Sequence, residues 1–354
     1  MKQLRAFLAL VALPIAVLLT APVLLLVLPF WIVASVTRAI ARRLEPQHEP
    51  WNRLIEFHRG LGWKPKPNLD AHYFARGDDV FRLRTDSEGW IGLGRLEDND
   101  IVAMGDSFVF GYGIDGERAF TQLDPRLRVK AVGCTGYSMV QGVMLMREFG
   151  ERLRGKLVVW FICIENDLYD NLLPNKPGFY RTPFVRRRNG SGDWEIVAEH
   201  VSPSRWDYSS DGRPYYPMLA KLCTPGPLAD RAFSACDYLI REAKQVCDRA
   251  GATLVVVTIP NKYQLSPAGA KFLRSHLDGQ DNFNPLYPDE RIASICRAQG
   301  VPFVAGAEYV GANDYKRHDT HWTAAGHRHM VKLLRDLWEH HRGERASSSS
   351  STSS

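Results

Sequence analysis

Four short segments of this 354-residue chain carry side chains that could do chemistry. Gly105-Asp106-Ser107 precedes Phe108-Val109-Phe110-Gly111 and supplies a hydroxyl where an apolar run gives way to a helix start. A serine there presents its oxygen at a sheet edge, and its own N–H belongs to a helix terminus that favours negative charge. Gly133-Cys134-Thr135-Gly136 offers backbone that a ligand can approach closely, because glycine has no Cβ. Glu165-Asn166-Asp167 offers an amide donor, and His318-Asp319-Thr320-His321-Trp322 offers an imidazole with a carboxylate beside it. Together they supply a nucleophile, a base, a carboxylate to orient the base, and three donors for an oxyanion. Singly, each has a plainer explanation. A serine at a helix start is often an N-cap, and Asn-Asp after a strand is ordinary turn chemistry. Asp319 and His321 could be a surface pair. His318, His321, His327 and His329 could gather a metal, but acidic or cysteine partners and helical ligand spacing are absent, so no metal or other cofactor is expected. The order of the four segments at element junctions is what points to one site.

The elements that must position them alternate. Asp100–Met104, Arg128–Val132, Leu157–Ile164, Thr253–Ile259 and Val301–Val304 are apolar runs that read as strands. Leu157–Ile164 is continuously apolar, as expected for a strand buried on both faces. Helical spacing recurs over Val140–Leu153, from Leu228 to Val246 with Gly251 as a stop, over Arg291–Gln299 and over Ala325–His340. Strand alternating with helix predicts an α/β fold, a parallel sheet between helical layers. Ligands of such sheets gather beyond the carboxyl ends of the strands, where three of the four segments fall. Residues 168–227 break the rhythm with prolines and aromatic residues, and Arg186-Arg187-Arg188 followed by Asn189-Gly190 predicts a hairpin returning at Trp194–Val197. Its arginines read as a solvated face; a lid or substrate platform is the functional alternative.

The combination resembles the SGNH hydrolase (GDSL-like esterase) superfamily. Asp100-Ile101-Val102-Ala103-Met104-Gly105-Asp106-Ser107-Phe108 matches the first family block, Gly133-Cys134-Thr135-Gly136-Tyr137 the second, Glu165-Asn166-Asp167 the third and Asp319-Thr320-His321-Trp322 the last. Phe81-Arg82-Leu83-Arg84-Thr85-Asp86-Ser87-Glu88-Gly89-Trp90 is similar to the segment preceding the nucleophile strand in bacterial members. The resemblance covers roughly residues 80–342 and implies a three-layer α/β/α sandwich. It implies Ser107 as nucleophile, His321 as base, Asp319 as the acid, and Ser107, Gly136 and Asn166 as the oxyanion hole. The chain departs from the pattern twice: Ile164 stands where a glycine is usual, and one residue, not two, separates acid from base. Asp-x-His-Trp occurs in the branch resembling polysaccharide O-acyl-modifying proteins. The implied activity is a serine esterase that removes or transfers an O-acyl group, acetyl first, on a glycan or lipid-linked ester. An O-acyltransferase with the same site, or a non-catalytic glycan-binding component of an envelope assembly complex, are the alternatives.

Charge and hydropathy bound the rest. The formal net charge is +6, but Lys2, Arg5, Arg38, Arg42 and Arg43 carry five of those charges with no acid among residues 1–44. The body is near neutral, which excludes a basic groove for nucleic acid. Ala6 to Thr37 is uncharged over 32 positions. As a helix it would reach about 48 Å, against a hydrocarbon core of about 30 Å. Pro14, Pro22 and Pro29 supply kink points that could absorb the excess. The run is too long for the apolar region of a cleaved signal peptide, so an uncleaved membrane anchor is expected. Basic residues flank both ends, so either the body lies outside the cytoplasm or a hairpin keeps both termini inside. Resemblance to bacterial members implies the inner membrane. The six cysteines show neither metal spacing nor disulfide-framework density and read as buried thiols. The expected organisation is an anchor at 1–44, a connector at 45–96, the hydrolase-like domain at 97–342 with the 168–227 insertion, and a disordered serine-rich tail at 343–354.

Overall fold

The sheet at the centre follows from strand residues that are apolar on both sides. A computed structural model describes residues 53–74, 80–92, 94–175, 181–202, 215–279 and 282–351, together with positions 29, 33, 49 and 50. The anchor expected at 1–44 lies almost wholly outside the described residues. No helix among the described residues is long and apolar enough to cross a membrane. Glu49–Ser354 is one compact unit.

Before the main sheet, β1 (Glu49–Pro50) pairs with β4 (Asp70–Phe74), and β4 with β5 (Val80–Arg84); β2 (Ile55–His58) and β3 (Gly62–Pro65) form a separate antiparallel hairpin. The stretch expected as a connector is therefore built of short strands. It is fastened to the main sheet by Lys130, a fully buried side chain whose ammonium lies 2.6 Å from an Asp86 carboxylate oxygen and donates to the carbonyls of Gly92 and Gly94. Removing one partner of such a buried pair leaves an uncompensated charge, a cost of about 3–5 kcal/mol.

The main sheet contains β6 (Ile101–Gly105), β7 (Val129–Gly133), β8 (Leu157–Cys163), β11 (Thr253–Ile259) and β12 (Phe303–Ala305), all parallel, in the order β12-β11-β8-β6-β7. Between β8 and β11 comes the antiparallel hairpin of β9 (Phe184–Arg187) and β10 (Trp194–Val197). Successive residues of β8 point to opposite faces. Val158, Trp160 and Ile162 join a cluster with α2 (Met139–Phe149), α5 (Pro227–Ala250) and α7 (Tyr287–Ala298). Leu157, Val159, Phe161 and Cys163 join another with α1 (Ser107–Phe110) and α8 (Ala324–Ser351). Two apolar clusters separated by one sheet make a three-layer α/β/α sandwich. All seven β8 side chains are buried. Each large one contributes about 1.5–3 kcal/mol of transfer free energy.

Element ends differ from the expectations, as at β12, which is Phe303–Ala305 where 301–304 was expected, and most at two helices. The helix expected over 140–153 tightens into a 3-10 turn at Gly150–Leu153. The tail expected to be disordered from 343 instead continues the closing helix to Ser351. Extending an existing helix costs little per residue, and Arg345 ties this part to the body by donating to the Gly155 carbonyl at 2.6 Å.

Candidate active site

β6 is where the strand order reverses: the chain goes from β6 to β7 on one side, then to β8 on the other. The crevice outside such a strand's carboxyl end is the default ligand site of an open parallel sheet. Ser107 sits there. Asp106, with φ −100° and ψ −141°, turns the chain out of the strand, and its carboxylate accepts the Phe108 N–H at 3.0 Å. The four-residue α1 that follows ends at Gly111 in the left-handed region. Gly133, paired with Gly105 across the strands, lets this turn close, because a Cβ there would meet the Gly105 and Asp106 carbonyl oxygens at 2.9 Å.

The acid and base arrive on the loop between a 3-10 turn at Ala312–Asp314 and α8. Tyr315 and Trp322 form a bridge, and the Lys316 N–H donates to the His321 carbonyl at 2.9 Å, so 315–322 closes on itself. Trp322 is fully buried, its ring 4.5 Å from that of Phe108 and 5.7 Å from that of Phe120. The His321 ring is flanked by Phe108 at 4.9 Å and Tyr112 at 4.7 Å. Held so, its Nε2 lies 2.8 Å from Ser107 Oγ and its Nδ1 lies 2.7 Å from Asp319 Oδ1. A carboxylate can only accept, so Nδ1 carries the proton and Nε2 is left to take one from the serine. Burial raises the Asp319 pKa, but the hydrogen bond from His321 outweighs it with the help of backbone donors, and the net value is about 2. The one-residue spacing of acid and base has a local cause. Asp319 Oδ1 also accepts the His321 backbone N–H at 3.3 Å, an Asx-type turn that brings side chain i against residue i+2.

The expected oxyanion donors lie on loops beyond the two strands that flank β6. Cys134–Tyr137 is a turn closed by the Tyr137 N–H on the Cys134 carbonyl at 3.1 Å, with Gly136 at φ +81°, a conformation that excludes most side chains. Trp63 grips this turn twice: its indole N–H donates to the Thr135 carbonyl at 3.0 Å, and its own carbonyl accepts the Tyr137 hydroxyl at 2.8 Å. On the other side, Asn166 occupies the N-cap position of α3 (Asp167–Asp170) without capping it by its side chain. Ile164, in place of the usual glycine, is fully buried and extends the β8–β11 pairing, its N–H donating to the Ile259 carbonyl at 3.0 Å. Among the described residues, the Ser107 and Gly136 N–H groups and the Asn166 amide donate to no protein acceptor. Unpaired donors on the loops after β6, β7 and β8 are the kind of group an oxyanion hole uses.

Two further residues near these loops were given no role by the sequence, although Glu165 lies in the third segment and Ser138-x-x-Gln141 has capping-box spacing. Glu165 is half-buried and accepts a hydrogen bond from the Asn261 amide at 2.6 Å; burial pushes its pKa up, opposed by Asn261, His321 and Thr320. Gln141, buried at the start of α2, accepts from Ser138 N–H at 3.0 Å and donates to Thr182 Oγ1 at 2.7 Å. Two of the other histidines go elsewhere. Buried His327 accepts the Phe120 N–H and His329 pairs with Asp314, while no three metal-ligating groups converge among the described residues. The arginines of the β9–β10 hairpin face solvent, Arg186 and Arg188 both pairing with Glu195.

No family model matches the sequence and no curated protein is similar to it. Among solved structures, the chain is similar to a GDSL-like lipase from Bacteroides thetaiotaomicron, with 14% identity and a TM-score of 0.37 over 70% of this chain and 91% of that one. It is also similar to a carbohydrate acetylesterase family member from Sinorhizobium meliloti, with 12% identity and a TM-score of 0.39 over 69% of this chain and 99% of that one. In its own right the chain is a three-layer α/β/α sandwich whose five-stranded parallel sheet brings Ser107, His321 and Asp319 into contact beyond the carboxyl end of β6.

Proposed function

We propose that this chain is a membrane-anchored serine esterase that removes an O-acyl group, acetyl first, from a glycan or lipid-linked substrate. The observation that carries the chemistry is the continuous relay from Ser107 Oγ to His321 Nε2 at 2.8 Å and from His321 Nδ1 to Asp319 at 2.7 Å. His321 takes the hydroxyl proton as Ser107 Oγ bonds to the ester carbonyl carbon. The carbonyl oxygen becomes an oxyanion facing the Ser107 and Gly136 N–H groups and the Asn166 amide. Asp319 keeps the imidazole in the productive tautomer and stabilises its cation. As the tetrahedral adduct collapses, the ester C–O bond breaks and His321 returns the proton to the departing alcohol. Water then attacks the acyl-Ser107, giving a proton to His321; as the acyl C–Oγ bond breaks, His321 hands that proton to Ser107 Oγ and the free acid leaves. A small acyl group suits a nucleophile only 7% exposed. The uncharged run at 6–37 supports attachment to a membrane; in this reading the domain stands on the outer side of a bacterial inner membrane, with a hairpin that keeps it cytoplasmic as the alternative.

The test is labelling of the full-length chain by a fluorophosphonate, followed by turnover of p-nitrophenyl esters, acetylated sugars and lipid esters. Ser107→Ala should abolish labelling and turnover while unfolding at an unchanged temperature. A wild-type chain that stays unlabelled, or a labelled Ser107→Ala variant, would overturn the assignment.

A further inference from the structure

The loop after β11 reaches across the end of the sheet to the acid–base turn. Lys262 lies on it, and its ammonium donates to three carbonyls: Lys316 at 3.0 Å, Arg317 at 3.1 Å and Asp319 at 2.9 Å. An ammonium has three donors, and here each meets a different oxygen of the same turn. The loop that carries Lys262 is itself fixed. The Asn261 N–H donates to Gln264 Oε1 at 2.7 Å, the Gln264 amide donates to the Pro285 carbonyl at 2.6 Å, and the Tyr263 N–H donates to Asn261 Oδ1 at 2.9 Å. Tyr315, at the start of the acid–base turn, donates its hydroxyl to the Pro260 carbonyl. The neighbouring Asn261 amide holds Glu165, the residue just before Asn166. The end of β11 thus touches both the turn bearing Asp319 and His321 and the loop bearing Asn166.

Resting on the esterase reading, we propose that Lys262 is a positioning residue: its ammonium, seated on the carbonyls of 316, 317 and 319, sets the Asp319–His321 turn so that the imidazole meets Ser107. The turn's backbone closure lies at its base, where the Lys316 N–H donates to the His321 carbonyl at 2.9 Å and the Thr323 N–H to the Asp314 carbonyl at 2.7 Å, which leaves 317–320 without backbone pairing among the described residues. Phe108 and Tyr112 hold the imidazole ring by contact only. Without the ammonium, those carbonyls turn to water and the Asp319 backbone loses its tie to the loop after β11. A displacement of about 1 Å in a reacting group can cost 10²-fold in rate. Loss of Lys262 should therefore lower kcat by about 10- to 100-fold with little change in KM, because the three ammonium donors are taken up by the turn.

The test compares the full-length wild type with Lys262→Met and Lys262→Cys. All six native cysteines are buried, so alkylation of the folded chain is directed to the introduced thiol. Bromoethylamine converts that thiol to a lysine analogue with an ammonium at nearly the same reach; iodoacetamide leaves a neutral amide. Fluorophosphonate labelling should slow about 10- to 100-fold in both variants. Aminoethylation should restore most of the rate and iodoacetamide should not, with unfolding temperatures alike throughout. Wild-type labelling by Lys262→Met, or equal recovery from both alkylations, would overturn the proposal. A second reading does not depend on esterase activity. The His321 Nδ1 proton held by Asp319 should give a far-downfield NMR signal in the wild type and lose it in Lys262→Met. If the wild type is never labelled, the esterase reading fails while this signal still decides the role of Lys262. A signal present in both chains, or absent from the wild type, would overturn it.

Discussion

His327 lies under the acid–base turn and makes stability depend on acid in a calculable way. It is 1% exposed, accepts the Phe120 N–H on Nδ1 at 3.2 Å, and its ring is 5.6 Å from Trp322. Burial, with His321 and Lys316 acting in the same direction, pushes its pKa from 6.5 down to about 3. Over that interval the unfolded chain takes up a proton that the folded chain refuses. The contribution of His327 to stability is therefore complete above pH 6.5 and is lost as pH falls toward 3. At about pH 5 the loss is about 2 kcal/mol, the free energy of roughly one and a half pKa units. Because this pH lies well above the folded value, the loss is set by the unfolded pKa alone. In a domain of this size it corresponds to a fall of roughly 4 °C in Tm.

The perturbation is His327→Asn, whose side-chain oxygen can stand near Nδ1 to accept the Phe120 N–H and whose amide does not titrate. Urea unfolding of both chains at about pH 7 and about pH 5, followed by tryptophan fluorescence, gives the comparison. The variant should be less stable at the higher pH, since imidazole volume is lost from a packed layer. Its stability should fall by about 2 kcal/mol less than that of the wild type between the two conditions. His58 and His341, whose pKa values burial also lowers, titrate alike in both chains and cancel in the difference. Equal falls in the two chains would refute the reasoning and place the acid sensitivity elsewhere.

The other expectations concern the oxyanion and the anchor. Asn166→Ala should lower kcat by about 10²–10³ with little change in KM, the usual cost of one oxyanion donor, and Asn166→Asp should be at least as damaging. Steady-state kinetics beside thermal unfolding checks this, and unchanged kcat in both variants removes Asn166 from the site. Deleting residues 1–44 takes away the uncharged run and five positive charges, so the remainder should stay in the supernatant after membranes are pelleted. A truncated chain that pellets with membranes without aggregating points instead to a second membrane contact within 45–354.

What could be read from the sequence is what local pattern encodes. The continuous apolar run of β11 starts and stops where its β-branched residues do, at Thr253–Ile259. Ser107, Asp319 and His321 announce themselves by type and by their place at element junctions. The short strands within 49–84 gave less signal, because four-residue strands such as Ile55–His58 are too brief to show alternation and pair only with one another or with a single neighbour. The closing helix outran expectation for a different reason. Serine-rich composition argues against nucleating a helix, whereas continuing one already anchored by Arg345 asks only for propagation.

The residues that hold the site together were silent because their partners are far away in sequence. Trp63 meets Thr135 across 72 residues, Asn261 meets Glu165 across 96, and Lys262 meets Asp319 across 57. Read by type, a lysine is a surface charge and a tryptophan is core. Only the strand order β11-β8-β6-β7 sets the loops after β11, β8, β6 and β7 along one edge, where those side chains can reach. The four blocks therefore supply the groups of the candidate site, while the clamps around them set where those groups stand. A chain that kept every block residue but lost Trp63 or Lys262 would retain the pattern and lose the support of its geometry. Any reading of function from the blocks alone must therefore be joined to the loops at 61–65 and 260–264 that hold them.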